Sequence, residues 1–227
     1  RHGSPDAGYI IPTSGSTGSP KAVVGSRAGL YEFLSWFVTE FGIDHTDVCA
    51  ALTRVNFDPS LRELLAVLCA GGKLVLPVAD AQLDPRALAV HLTDSRPTMA
   101  FLVPSMARRM AEALSAEGFR PKHLRLAFFA GEVLPTALTE QWSELAPRAE
   151  LVNLYGMTEG TLAQLFRRQA QKVRGDKLFG APVGRPRPGV SVTIADPDDE
   201  GYGEVLVESV APALGVLDAG HSGESGT

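Results

Sequence analysis

The chain has 227 residues, 44% hydrophobic and 21% charged, with a formal net charge of −5. This is the balance of an ordinary folded protein, long enough to bury roughly 70% of its unfolded surface without staples, and it argues against disorder over most of the length. Lys and Arg are scattered rather than striped, and no apolar run reaches the ~18 residues of a membrane span, so neither nucleic acid nor a membrane is expected as a partner.

In chain order, Tyr9–Ile11 reads as a short strand running into a Ser/Thr/Gly loop from Thr13 to Pro20, and Ala22–Val24 as a second strand. Ser26 suits a helix N-cap, with Leu30, Phe33, Leu34, Phe37 and Phe41 following at helical spacing and Gly42 as the stop. Strands are then predicted at Val48–Leu52, Lys73–Leu76, Thr98–Val103, Leu124–Phe129 and Leu151–Leu154. Helices are predicted at Leu61–Leu68, Pro85–Leu92, Pro104–Leu114 and Pro135–Leu145. This alternation predicts an α/β fold, a mostly parallel βαβ sheet with flanking helices over residues 1–178, with ligands beyond the carboxyl ends of its strands. The basic stretch from Arg167 to Lys177 reads as a solvated mobile loop. Beyond Gly180 the prolines and glycines multiply. Strands at Val190–Ile194 and Gly203–Val207 there predict a small antiparallel β region, a partial barrel over 179–217, before a Gly/Ser-rich tail over 218–227.

Cys49 and Cys69 both sit beside apolar residues, which predicts two buried free thiols and a reducing compartment. The start, Arg1 to Pro5, has no apolar stretch after its charge and so does not read as a signal peptide; a cytoplasmic location is expected. The five histidines lack metal-ligand spacing.

Three stretches carry chemistry. Thr13-Ser14-Gly15-Ser16-Thr17-Gly18-Ser19-Pro20-Lys21 combines glycines that let backbone N–H groups converge, hydroxyl donors and one cation, a set suited to polyphosphate. It does not have the GxxxxGK[ST] order of a Walker loop, and by composition alone a flexible linker would serve as well. Asn153-Leu154-Tyr155-Gly156-Met157-Thr158-Glu159 places an aromatic face, a hydroxyl and a carboxylate at a strand end. Phe57-Asp58-Pro59-Ser60 offers a carboxylate ahead of a helix, where a plain N-cap is the structural alternative.

TSGSTGSPKA resembles the phosphate loop of the adenylate-forming superfamily, with Ala22 where the family usually has Gly. NLYGMTE resembles its NxYGPTE signature, with Met157 replacing Pro, and FDPS resembles the FDxS element of amino-acid-activating members. Ala130-Gly131-Glu132, Gly184-Arg185-Pro186 and Gly203-Glu204-Val205-Leu206 extend the likeness from about Tyr9 to Leu217. The closest likeness is to the amino-acid adenylation domains of nonribosomal peptide synthetases.

The resemblance implies ATP and Mg²⁺, with Thr13, Ser14, Gly15, Ser16, Thr17 and Gly18 around the phosphates and Lys21 stabilising the leaving pyrophosphate. It implies Tyr155 stacked on adenine beside Gly131, Glu132, Asn153 and Gly156, Thr158 on the α-phosphate and Glu159 on the metal. Asp58 is implied to pair with a substrate ammonium group. Asp58, Pro59, Arg62, Leu102, Phe128, Ala130, Leu154, Leu162 and Ala163 are implied to line the amino-acid pocket; seven of these nine are apolar, which predicts an apolar substrate side chain with Arg62 as the odd member. Implied partners are the amino acid, a carrier-protein domain bearing phosphopantetheine, and neighbouring synthetase domains or adenylation subdomains outside this chain. Family members carry over a hundred residues before the phosphate loop, and a ribose-binding Asp, a hinge and a small domain with a further Lys after the present end, so a domain shortened at both ends is expected. Two other readings remain: a non-catalytic scaffold within a synthetase, and an acyl- or aryl-acid ligase fragment, against which Asp58 argues.

Overall fold

The computed structural model describes residues 5–14, 20–78, 84–169 and 180–218. Strands β1 (Ala7–Ser14) and β2 (Pro20–Ser26) form an antiparallel pair, closing with Ser14 opposite Pro20. Helix α1 (Arg27–Glu40) starts at Ser26, whose hydroxyl accepts the Gly29 N–H at 2.8 Å, and stops before Gly42, whose φ of +54° no helix continues.

The body follows as β3 (Val48–Ala50), α2 (Pro59–Cys69), β4 (Lys73–Val75), α3 (Pro85–Asp94), β5 (Met99–Leu102), α4 (Pro104–Ala116), β6 (Leu126–Ala130), α5 (Thr136–Leu145) and β7 (Glu150–Tyr155). A short 3₁₀ turn (Thr158–Gly160) leads to β8 (Leu165–Gln169) and β9 (Arg185–Pro186). These strands make one seven-stranded sheet, ordered β4-β3-β5-β6-β7-β8-β9, parallel as far as β7 and antiparallel beyond it. Residue alternation splits its faces. Ala100, Leu102, Ala127, Phe129 and Leu151 pack under α3, α4 and α5, and Met99, Phe101, Leu126, Phe128, Val152 and Leu154 pack under α1 and α2. The second face is aromatic: Phe37 and Phe128 touch each other, and each touches both Phe41 and Phe101.

The segment after Gly180 does not separate cleanly. Strands β10 (Val190–Ala195) and β11 (Glu204–Ser209) pair only with each other among the described residues, but β9 extends the main sheet and β12 (Gly215–Asp218) pairs with β2.

Two expectations are corrected. Arg167 and Arg168 belong to β8, not to a loop; Arg168 bonds the Glu150 carboxylate at 2.6 and 2.7 Å and Glu40 at 3.1 Å, and Lys172, Arg174 and Lys177 of that basic stretch lie outside the described residues. The sequence LFRRQ lacks strict alternation, which hid the strand. Cys69 is exposed at the end of α2 while Cys49 is buried in β3; both are free thiols. No described helix is long and apolar enough to cross a membrane.

Candidate functional site

The loops leaving β6 and β7 open at the carboxyl end of the parallel strands, the edge where open α/β sheets bind ligands. Two cavities meet there. The larger, about 510 Å³, is lined by Gly131 to Leu134, Asn153 to Gly156 and Gly180 to Val183. The smaller, about 130 Å³, is lined by Asp58, Pro59, Arg62, Ala130, Gly131, Leu154, Gly156, Met157, Thr158, Leu162 and Ala163. Gly131, Leu154 and Gly156 belong to both and form their common wall.

Backbone geometry at this wall restricts residue choice. Gly131 has φ of +90°, a conformation that favours glycine. A Cβ on Gly156 would lie 2.1 Å from the Leu162 carbonyl oxygen. Thr161 and Leu162 themselves have φ of +66° and +65°, a consecutive pair of non-glycine residues held in the left-handed region beside the smaller cavity. Three polar contacts hold this turn. The Gln164 side chain, fully buried, accepts the Met157 N–H at 2.7 Å; the Thr161 hydroxyl donates to the Ala211 carbonyl at 3.1 Å; the Ala213 N–H donates to the Glu159 carbonyl at 2.8 Å. Because the Leu214 N–H also donates to the Val24 carbonyl at 2.8 Å, residues 211–214 strap the 3₁₀ turn to the β1–β2 pair.

Lys21 sits on β2 opposite Thr13 of β1 and Asp218 of β12, so the strap brings the strand carrying Lys21 and the turn carrying Thr158 and Glu159 into one neighbourhood. Gly15, Ser16, Thr17 and Gly18 lie outside the described residues, as does the side chain of Ser14.

In the larger cavity, Tyr155 is partly exposed. Asn153 is buried, and its Nδ2 donates to the Ala181 and Pro182 carbonyls at 3.2 and 3.1 Å, fixing the opposite wall. Glu132 accepts the Ser105 N–H at 2.8 Å and its hydroxyl at 2.9 Å, and so caps the start of α4.

In the smaller cavity, Asp58 occupies the N-cap position of α2 but its side chain makes no cap hydrogen bond. It faces Thr158 and Arg62 instead. Burial raises its pKa, and Arg62 and the Thr158 hydroxyl offset only part of that effect. Arg62 is buried, with its guanidinium carbon 5.2 Å from the Phe101 ring centre. Glu63, buried beside it, is turned away and accepts the Leu52 and Thr53 N–H groups, the latter at 2.9 Å.

Seven of the nine expected pocket residues line this cavity: Asp58, Pro59, Arg62, Ala130, Leu154, Leu162 and Ala163. Leu102 does not. It packs on the opposite sheet face under α3 and α4, because neighbouring residues on a strand point to opposite sides; Phe101, one residue earlier, faces Arg62. Phe128 lies behind Phe101, stacked at 4.7 Å, and supports the cavity from a second layer.

Over residues 3–217 the sequence matches the AMP-binding enzyme family, nearly the whole chain. The chain belongs to this family. AMP-binding enzymes are ATP-dependent ligases. This chain is 32% identical over 222 residues to a D-alanine–D-alanyl carrier protein ligase of Bacillus licheniformis, covering 95% of this chain and 44% of that protein. It superimposes on the Vibrio cholerae adenylation domain AlmE, solved with glycyl-adenosine-5′-phosphate, with a TM-score of 0.78 at 26% identity, covering 93% of this chain and 41% of that one. The TM-score is 0.82 at 27% identity against the nonribosomal peptide synthetase FmoA3 bound to AMPPNP, covering 94% and 23%. The chain thus spans less than half the length of each of these relatives.

The Mg²⁺ expected from the sequence resemblance can be set against the residues present. Among the described residues no three His, Cys, Asp or Glu side chains gather into a metal cage. Glu159 presents one exposed carboxylate, and Mg²⁺ is commonly held by one or two carboxylates together with substrate phosphates and water.

Several contributors escaped the motif-based reading. Phe101 was hidden by the one-residue ambiguity of a buried strand, and Gln164 by having no motif around it. Arg187 is buried, donates to the Ala163 carbonyl at 3.1 Å and pairs with Glu32 at 2.8 Å, so it buttresses the cavity wall. Its place just after Gly184-Arg185-Pro186 was the only available signal.

Proposed function

We propose that this chain is the ATP- and substrate-holding core of an enzyme that activates an amino acid as its adenylate and passes the aminoacyl group to the phosphopantetheine thiol of a carrier protein. The observation that carries this reading is Asp58. It stands at a helix start without capping it and is directed into a small cavity that shares a wall with a nucleotide-sized groove. A partly buried carboxylate with that freedom suits a substrate ammonium group. The carrier-protein ligase and the glycyl-adenylate complex among the relatives support the same chemistry.

In this reading the substrate carboxylate oxygen attacks the α-phosphorus, the bond to the bridging oxygen breaks, and pyrophosphate leaves. Asp58 holds the ammonium group at one end of the smaller cavity. Tyr155 stacks on the base in the larger one, while Asn153 and Gly131 shape its walls. Thr158 orients the α-phosphate, Lys21 and the loop from Thr13 to Gly18 offset the charge of the leaving group, and Glu159 would hold Mg²⁺, which supplies charge neutralisation at the phosphates. Catalysis is then positioning and charge stabilisation rather than proton transfer. The carrier thiol next attacks the activated carbonyl, and AMP departs. The class of side chain is set by Pro59, Ala130, Leu154, Leu162 and Ala163 on the apolar side and by Arg62 against them.

Calorimetric titration of the chain with Mg·ATP and with a non-hydrolysable aminoacyl-adenylate analogue tests the proposal. Binding of both, weakened by Tyr155→Ala and by Glu159→Ala for the nucleotide and by Asp58→Asn for the analogue, is the expected result. A folded chain that binds neither ligand would overturn it and favour a scaffold role.

A further inference from the structure

Arg62 is 3% exposed and lines the smaller cavity. A guanidinium carries five N–H donors and no acceptor. Its Nε has no hydrogen-bond partner, and none of the ion pairs among the described residues includes Arg62. Of the two nearby carboxylates, Glu63 is bonded to the Leu52 and Thr53 N–H groups, and Asp58 faces both Thr158 and Arg62 but makes no ion pair with the guanidinium. The Phe101 ring beneath Arg62 offers a π face but no oxygen. Burial pushes the guanidinium pKa down to about 10 although Asp58 and Glu63 pull it up, so it is charged at neutral pH and under-compensated.

We infer that the amino acid activated here has a short side chain ending in a carboxylate, which pairs with Arg62 in the smaller cavity while Asp58 takes the ammonium group. The inference rests on the function proposed above. A buried donor left unpaired is costly, so the site has free energy to gain from a planar oxygen acceptor and would reject a substrate that leaves the Arg62 Nε–H empty. A carboxylate matches the guanidinium fork with two parallel hydrogen bonds. The remaining space, about 130 Å³ with Arg62 in place, suits a short chain rather than an aromatic ring. The apolar residues Ala130, Leu154 and Leu162 then contact methylene groups and keep water from the ion pair. This departs from the apolar side chain expected by counting pocket residues, because one buried charge outweighs several ordinary apolar walls.

The test compares acyl-sulfamate analogues of aspartyl-, glutamyl- and leucyl-adenylate by calorimetric titration of the wild-type chain, then of Arg62→Met, which keeps the apolar stem without the charge. An acidic analogue should bind on the order of tenfold or more tighter than the leucyl one, and the preference should vanish or reverse in Arg62→Met. Should Arg62→Met fail to fold, the wild-type ranking alone decides. Equal or tighter binding of the leucyl analogue overturns the inference while leaving the amino-acid site standing. Binding of none of the three by a folded chain overturns the function proposed above and this inference with it.

Discussion

Asn153 offers a sharp test because it links the fold to the nucleotide groove through atoms whose identity is unambiguous. Both partners of its Nδ2 are carbonyl oxygens, at 3.1 and 3.2 Å, so the amide must present its donors to them. Asn153→Ala removes two side-chain hydrogen bonds, each worth about 0.5–1.5 kcal/mol net, for a loss of about 1–3 kcal/mol. The lower half of that range is expected, since Pro182 is exposed and its carbonyl can find water. Asn153→Asp keeps the shape but replaces the donors with a charged acceptor facing two carbonyls, and should cost more than the alanine at neutral pH. Urea unfolding with an unchanged m-value measures the stability change, and titration with Mg·ATP measures the loosened Ala181–Val183 wall. An aspartate variant as stable as wild type would refute the donor role. So would an alanine variant within about 0.3 kcal/mol of wild type with full nucleotide affinity.

Asp58→Asn should stabilise the ligand-free fold while abolishing aminoacyl-analogue binding. The folded pKa of Asp58 is raised by burial, so its contribution is favourable below the unfolded value and is lost as pH rises through that value toward the folded one; the variant should lose that pH dependence in thermal unfolding. Gly156→Ala places a Cβ 2.1 Å from the Leu162 oxygen and should cost about 1–3 kcal/mol with loss of binding in both cavities, read by unfolding and by titration. Asp47→Asn strikes the opposite end of the sheet. There Asp47 accepts from Arg125 at 2.5 and 2.8 Å, from the Thr98 hydroxyl at 2.6 Å and from the Asp44 N–H at 3.0 Å, and these bonds outweigh burial and hold its pKa low. Wild type should lose this stabilisation as pH falls below the unfolded carboxyl value and through the folded one; the variant should be about 2–3 kcal/mol less stable at neutral pH, less than a fully buried pair because Arg125 is 38% exposed, with ligand binding intact.

Much of this protein is legible along the chain. The alternation from Val48 to Leu154 determines the parallel sheet, because each element carries its own period and its own stop signals, such as Ser26 before α1 and Gly42 after it. The placement of Asp58, Tyr155, Thr158 and Glu159 is equally local, since short motifs put those residues at strand and helix ends. Strands β8, β9 and β12 were not legible, because their pairing partners are remote and two or three residues such as Arg185-Pro186 have no period to read. The face on which Leu102 and Phe101 sit depends on strand register, which in a buried apolar run leaves no alternation in the sequence. Whether Asp58 caps its helix or looks into a cavity, and whether Arg62 reaches solvent or stays buried without a partner, depends on what other segments pack around them. A residue's type and spacing set what it could do; only the packing of distant segments decided that Asp58 and Arg62 share one cavity and that the Arg62 Nε is left without a partner there.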